Sequence, residues 1–169
     1  DGTVGIVTQT TSSTPSAGIS SVFESNHSYF ISSAYDIANG KVIVAYKDYV
    51  NAGVGKAVVG TVTGTGITFG PTATFAPTAD IDWTSSTYDS INERVVIAYN
   101  DSAKYGIAIV GTVDPNNNSI SFGSTVTFNS SRTFYFSVAY VGSSKVVVAY
   151  RDIDNSQYGT AIVGTVNGT

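Results

Sequence analysis

The feature that most constrains this chain is a pattern written three times. KVIVAYKDYVNAGVGKAVVGTV spans Lys41 to Val62, RVVIAYNDSAKYGIAIVGTV spans Arg94 to Val113, and KVVVAYRDIDNSQYGTAIVGTV spans Lys145 to Val166. Each copy is an apolar run, a polar turn and a second apolar run closed by Gly-Thr-Val. Independent markers keep step: Tyr46, Tyr99 and Tyr150; Asp48, Asp101 and Asp152; Gly60, Gly111 and Gly164; Tyr35, Tyr88 and Tyr140; Phe23, Phe75 and Phe128. Their spacings agree on a period of about 52 residues. A repeat of this length is one supersecondary unit that buries its apolar faces against its neighbours.

Each unit carries four short segments rich in Val, Ile, Thr, Phe and Tyr, separated by turn residues such as Asp36-Ile37-Ala38-Asn39-Gly40 and Asp114-Pro115-Asn116-Asn117-Asn118. No segment shows the 3.6-residue apolar period of a helix. The chain is therefore expected to be all-β, a β-propeller of four-stranded antiparallel blades. VVVAY is apolar on both faces, which suits a strand sandwiched between blades. Ser-x-Ala-Tyr suits a crowded inner strand. The more polar FGxxVTF, with a central Gly, suits an outer strand with a kink or bulge. This phase predicts a partial blade over 1–29 (third and outer strands, at Thr3–Val7 and Pro15–Phe23), blades over 30–75 and 83–128, and three strands of a blade over 134–166. About three blades do not close a ring, for which 4–8 are usual. The ring is expected to be completed by a longer parent chain or by oligomerisation, with the N-terminal outer strand of one copy finishing the last blade of the next.

Composition narrows the function classes. The 169 residues include no cysteine, which removes disulfides and thiolate metal sites, and no methionine, so Asp1 is read as the product of processing or excision. The formal net charge of -4 argues against a nucleic-acid partner. No apolar run approaches the ~20 residues of a membrane helix. Low charge and abundant Ser, Thr, Asn and Gly fit the outside of a cell or a virion. Asn-x-Ser/Thr sequons such as those at Asn26, Asn117, Asn129 and Asn167 are a by-product of that composition.

The motif VVVAYRD…YGTAIVGTV…ISFGSxVxF resembles the tandem propeller-type repeats of tail-fibre and surface proteins from bacteriophages and marine bacteria. The likeness runs from about Val4 to Val166. It implies a propeller used for adhesion or receptor recognition. The first unit departs from the pattern, with Val54-Gly55 where the others have Tyr105-Gly106 and Tyr158-Gly159.

No catalytic set assembles. His27 is the single histidine, and no nucleophile elbow, zinc-binding helix motif or phosphate loop is present. Asp36, Asp89 and Glu93 are the acids a hydrolase could use, but Val141 replaces the first two in the third unit. Asp152-Ile153-Asp154-Asn155-Ser156 alternates oxygens as calcium loops do, without the distal Glu. Neither enzyme activity, metal nor cofactor is expected.

The units differ most in two connections. One joins the outer strand to the next inner strand: Glu24–Ser28, Ala76–Asp80 and Asn129–Thr133. The other joins the second strand to the third: Tyr49–Val54, Ser102–Tyr105 and Ile153–Tyr158. In an antiparallel meander both emerge at one end, so variation gathers on one rim. That rim brings Phe30, Trp83 and Tyr135 into register, with Arg132 aligned to His27 and Asp80. It also carries Asp48, Asp101 and Asp152, and Tyr105 and Tyr158. Rings beside carboxylates and a guanidinium are the chemistry of sugar recognition. Each has a structural alternative: the rings can wedge blades together, and the aspartates can bond backbone N–H groups of their own turns. The expected function is a non-enzymatic binding module of a surface or viral appendage protein. It would recognise a cell-surface glycan or receptor through this rim, in a homo-oligomer or beside further repeats, without nucleic acid and without membrane insertion. The competing expectation is a structural spacer or filament subunit.

Overall fold

The computed structural model describes residues 17–78 and 80–168. They form antiparallel β-structure with no helix. The first sheet runs β1 (Ser28–Asp36), β2 (Lys41–Asp48), β3 (Val54–Thr63) and β4 (Gly66–Phe69), with β5 (Ala73–Ala76) also paired to β3. The second sheet begins the same way, with β6 (Asp82–Asp89), β7 (Arg94–Asn100), β8 (Tyr105–Asp114) and β9 (Ser119–Phe122). It then continues through β10 (Val126–Gly142) into β11 (Lys145–Asp152) and β12 (Tyr158–Thr165). The strands fall where the repeat places them, because each Val/Ile-rich run has a turn-forming sequence at both ends.

Some sequence expectations need correction. The chain does not divide into separate four-stranded sheets, and Asn129–Thr133 is not a loop. Strand β10 is 17 residues long. Its first part pairs with β8 as far as Arg132, and its second part pairs with β11 from Thr133 onward. The second and third units therefore share one sheet. Between the first and second units Pro77 interrupts the same path: it has no N–H to donate and a fixed φ. Asn129-Ser130-Ser131 lacks that obstacle, and pairing with Tyr105 and Gly106 overrides its local preference for a turn. The outer strand is also broken rather than kinked, into β4 and β5 around Gly70-Pro71-Thr72. A Cβ on Gly70 would lie 2.6 Å from Cβ of Asn118 in the next unit, so glycine permits that approach.

At the N-terminal end, Ala17 to Phe23 is not a strand. The proposed third strand Thr3–Val7 and the start of the outer strand at Pro15 lie outside the described residues.

The core lies between units. Ile43, Val59, Phe75, Ile81, Val95, Ile97 and Ile109 fill the first junction. Val96, Ala98, Val148 and Tyr150 fill the second, with Phe128 and Phe136 packed against them. In β7 both faces are buried, since Val95 and Val96 point opposite ways and are each under 3% exposed. One aromatic contact recurs at each junction: Phe75 with Tyr99 at 5.2 Å, and Phe128 with Tyr150 at 5.5 Å between centroids. Pairs of this kind contribute about 0.5–1.5 kcal/mol beyond area burial. The inner strands are also stitched by hydroxyls: Ser85 Oγ and Thr87 Oγ1 accept from the backbone N–H groups of Val138 and Tyr140, each at 3.1 Å.

Candidate functional site

Register places the two variable connections at one end of the units, as expected: Ser28 pairs with Asp48, Asp82 with Asn100, and Thr133 with Asp152. Just inside this rim each inner strand carries a register shift, between Tyr29 and Ser32, Asp82 and Ser85, and Phe134 and Ser137. The shifts hold Phe30, Trp83 and Tyr135 at φ values of 50, 52 and 57°. A non-glycine residue in that region costs on the order of 1 kcal/mol. In return the rings turn sideways and meet, tilted, across units. Phe30 and Trp83 centroids are 4.8 Å apart, and Trp83 and Tyr135 are 4.4 Å apart. Both contacts are tilted, at 45° and 52°, and they bridge neighbouring units, so Phe30 and Trp83 act as wedges between units. Tyr135 ends the row and is 56% exposed.

Two of the recurring aspartates, Asp48 and Asp101, hold turns. Asp48 is fully buried, accepts from the Asn51 backbone N–H at 3.2 Å and side-chain amide at 2.5 Å, and pairs with Lys56 at 2.6 Å. Burial raises its pKa, but Lys56 and the Asn51 bonds outweigh burial and hold it below the usual carboxylate value. Asp101 accepts from Tyr105 N–H at 2.9 Å. Asp152 is buried at the start of its own turn. Asp48 and Asp152 are buried and do not face outward, whereas Asp101 is half-exposed. Arg132 forms a fork with Asp154, Nε at 3.0 Å and Nη2 at 2.8 Å, while its backbone N–H reaches the other carboxylate oxygen at 2.9 Å. Tyr105 and Tyr158 are exposed at the first residues of β8 and β12.

At the opposite end, Asp36 and Asp89 are buried and accept turn bonds from Asn39 and Asn92. The Asp-x-x-Asn spacing common to Asp36, Asp48 and Asp89 was the sequence signal for this capping.

Sequence reasoning missed the most polar assembly on the rim. Lys47, only 7% exposed, bonds Asp80 at 2.7 Å and Asp82 at 2.9 Å in the next unit. Lys104 closes the network on Asp82 at 2.7 Å and Asp80 at 3.4 Å. Burial pulls the Lys47 ammonium down, but the two carboxylates outweigh it and hold its pKa above the ordinary value. The Lys47 bond in turn holds Asp80 low. Lys47 Nζ also stands 5.8 Å over the Phe30 ring. Beside it Tyr29 and Tyr49 meet edge to face at 5.3 Å, and both are about half exposed. Tyr29, Phe30, Lys47, Tyr49 and Asp82 line a shallow open depression. It offers two tyrosine rings and hydroxyls, an ammonium and a carboxylate, a set suited to a polyhydroxylated ligand. Among the described residues no cluster of three or more His, Cys, Asp or Glu side chains could hold a metal.

Neither a protein-family model nor a curated protein matches the sequence. Solved structures do match. NanB in complex with Optactamide aligns over 80% of this chain at TM-score 0.57 and 13% identity, and a mutant of NanB sialidase from Streptococcus pneumoniae gives the same values. NanB with 2-[(3-chlorobenzyl)ammonio]ethanesulfonate aligns over 80% at TM-score 0.56 and 12% identity. In each case the aligned part is 22% of the NanB chain. At such identity the likeness concerns the fold alone: this chain shares the antiparallel architecture of a sialidase β-propeller.

Proposed function

We propose that the three units are blades of a β-propeller, and that the chain is a non-enzymatic binding module recognising a cell-surface glycan or receptor through its variable rim. The observation that carries this reading is the depression lined by Tyr29, Phe30, Lys47, Tyr49 and Asp82. Its two tyrosine rings stand outside the Phe30–Trp83–Tyr135 row, and its charged groups are already fixed by the Asp80–Lys104 network. A pre-fixed polar set loses little freedom on binding. The similar chains are sialidases, which supports carbohydrate as the ligand class. Composition supports a site outside the cell or on a virion. Glycan-array binding by the assembled protein, followed by titration of any hit against Tyr49→Ala, tests the reading. Binding that falls about tenfold or more supports it, and an array blank at high protein concentration ends it.

A second reading has its own observation. The outer edge of β12 carries no paired strand among the described residues, and an open edge is what a spacer or filament subunit uses to extend.

A further inference from the structure

The outer edge of β12 borders an apolar groove of about 180 Å³, lined by Val110, Phe128, Val148, Val163 and Gly164 among others. In the first two units this place is filled. Ile67 and Phe69 pack over Gly60, where an added Cβ would lie 2.7 and 3.0 Å from them. Ile120 and Phe122 pack over Gly111 at 2.8 and 2.9 Å. Over Gly164 the nearest atom is Val146 Cγ2, at 3.3 Å. Ile162 and Val163 are 37% and 61% exposed.

The other end of the molecule carries the complementary half. Phe23 sits 5.0 Å from Tyr46 and 5.9 Å from Phe69. Phe75, at the end of an outer strand, sits 5.2 Å from Tyr99 and 5.7 Å from Phe122. Ile19 N–H donates to Thr65 O at 3.0 Å, and Gly18 lies on Thr65 as Gly70 lies on Asn118. Residues 18–24 thus hold the pose of an outer strand against the first unit. Yet they pair with no third strand among the described residues, and Ile19 and Val22 are 72% and 80% exposed.

We infer that β12 and its groove dock residues 18–24 of a second copy of this chain, which repeats head to tail the junction the chain builds internally. The mode is strand addition: main-chain bonds supply attraction and alternate side chains supply specificity. Register follows from the first unit. Lys56 pairs with Thr74 and Ala57 with Ala73. Thr160 stands opposite Tyr150 as Lys56 stands opposite Tyr46. Val22 precedes Phe23 as Thr74 precedes Phe75. Thr160 of one copy therefore faces Val22 of the next, and Ala161 faces Ser21. Ala17 occupies the position of Phe69, so part of the groove stays under-filled in the docked pair. The association is independent of whether the rim binds a glycan.

The absence of cysteine makes the test direct. Chains carrying Val22→Cys and Thr160→Cys are mixed and oxidised; opposed cross-strand positions are within disulfide reach. A cross-linked heterodimer is expected, and none when Thr160→Cys is replaced by Lys41→Cys at the far end of β2. Sedimentation of the 169-residue chain is expected to show concentration-dependent association. Ala17→Phe is expected to tighten it about tenfold, by burying an aromatic side chain in the unfilled part of the groove. A third arm appends a copy of the sequence Gly66–Ala76 after Thr169, so that the chain can fill its own groove. Conversion of the oligomer to a monomer by this extension supports docking at β12. A 169-residue chain that stays monomeric without cross-linking overturns the inference, whether or not the extension raises its melting temperature. An extended chain that still associates overturns it too, because the contact then lies elsewhere.

Discussion

The junction between the first two units and the free side of the third unit are built from the same sequence and meet opposite surroundings. At the junction, β7 is buried on both faces and its flanking glycines are pressed by rings. On β11 and β12, Ala149, Ala161 and Gly159 face solvent. The difference shows that the repeated residues are chosen for what the next unit brings. Their contribution belongs to a pair of units rather than to one.

The widest separation is expected at the repeated phenylalanine. Phe75 is 3% exposed and touches Tyr99, Phe122 and the space beside Gly55. Phe75→Ala should cost about 3–5 kcal/mol. Phe128 is only half-buried and borders the open groove. Phe128→Ala should cost about half as much, because less apolar area leaves water on folding. Urea melts of the two variants measure the gap, and equal losses would break the comparison.

Glycine scanning sharpens it. A Cβ on Gly106 would lie 2.6 Å from Phe128 Cζ, whereas a Cβ on Gly159 meets nothing within 4 Å. Gly106→Ala should lose about 1–3 kcal/mol by overpacking. Gly159→Ala should be neutral or slightly stabilising, by about 0.4–1 kcal/mol, through the unfolded chain. Thermal melts of the pair check the sign as well as the size.

Much of this was legible in the chain, and the exceptions share a cause. The period, the strands and the burial of the Val-Tyr runs follow from local pattern. So does the gathering of loops at one end, since antiparallel connection dictates it. The turn role of Asp48, Asp89 and Asp101 was foreseeable because their partners lie two to four residues away. The Lys47 network was not. Its acids lie 33 and 35 residues on, in the next unit, where the alignment sets Asp82 beside Tyr29 and Phe134. Continuity of β10 was missed because Asn and Ser signal a turn, and only pairing across to β8 decides otherwise. The row of Phe30, Trp83 and Tyr135 depends on three positive-φ residues that no residue type announces.

Acid should act through the capped turns. Burial raises the Asp89 carboxyl, but bonds from Asn92 and Ile91 outweigh it and hold it below the ordinary 3.8. Asp48 is depressed in the same way through Lys56 and Asn51. A carboxyl depressed on folding stabilises above its unfolded pKa, and that contribution is lost as pH falls through the folded value. The melting temperature is therefore expected to hold from about pH 5 upward and to decline below about pH 4. Lys47, raised on folding, keeps its contribution below about pH 10 and loses it only above. In Asp89→Asn the acid limb should be shallower. An unchanged acid limb would locate the titrating group elsewhere.

The smallest expected effect on stability falls at the rim. Tyr49 is 57% exposed and touches Tyr29 by an edge contact alone. Tyr49→Ala should shift the folding free energy by no more than about 0.5 kcal/mol. Trp83 is held between Phe30 and Tyr135, so Trp83→Ala should cost several times more and loosen the junction it wedges. If both rings served a ligand, both substitutions would abolish binding alike. If Trp83 is a wedge and Tyr49 a contact, the two effects separate: Tyr49→Ala loses ligand at unchanged melting temperature, while Trp83→Ala loses melting temperature first. Paired melting and glycan titration on these two variants therefore separate the rim's recognition from its scaffold, and binding that survives Tyr49→Ala intact would remove the depression as the site.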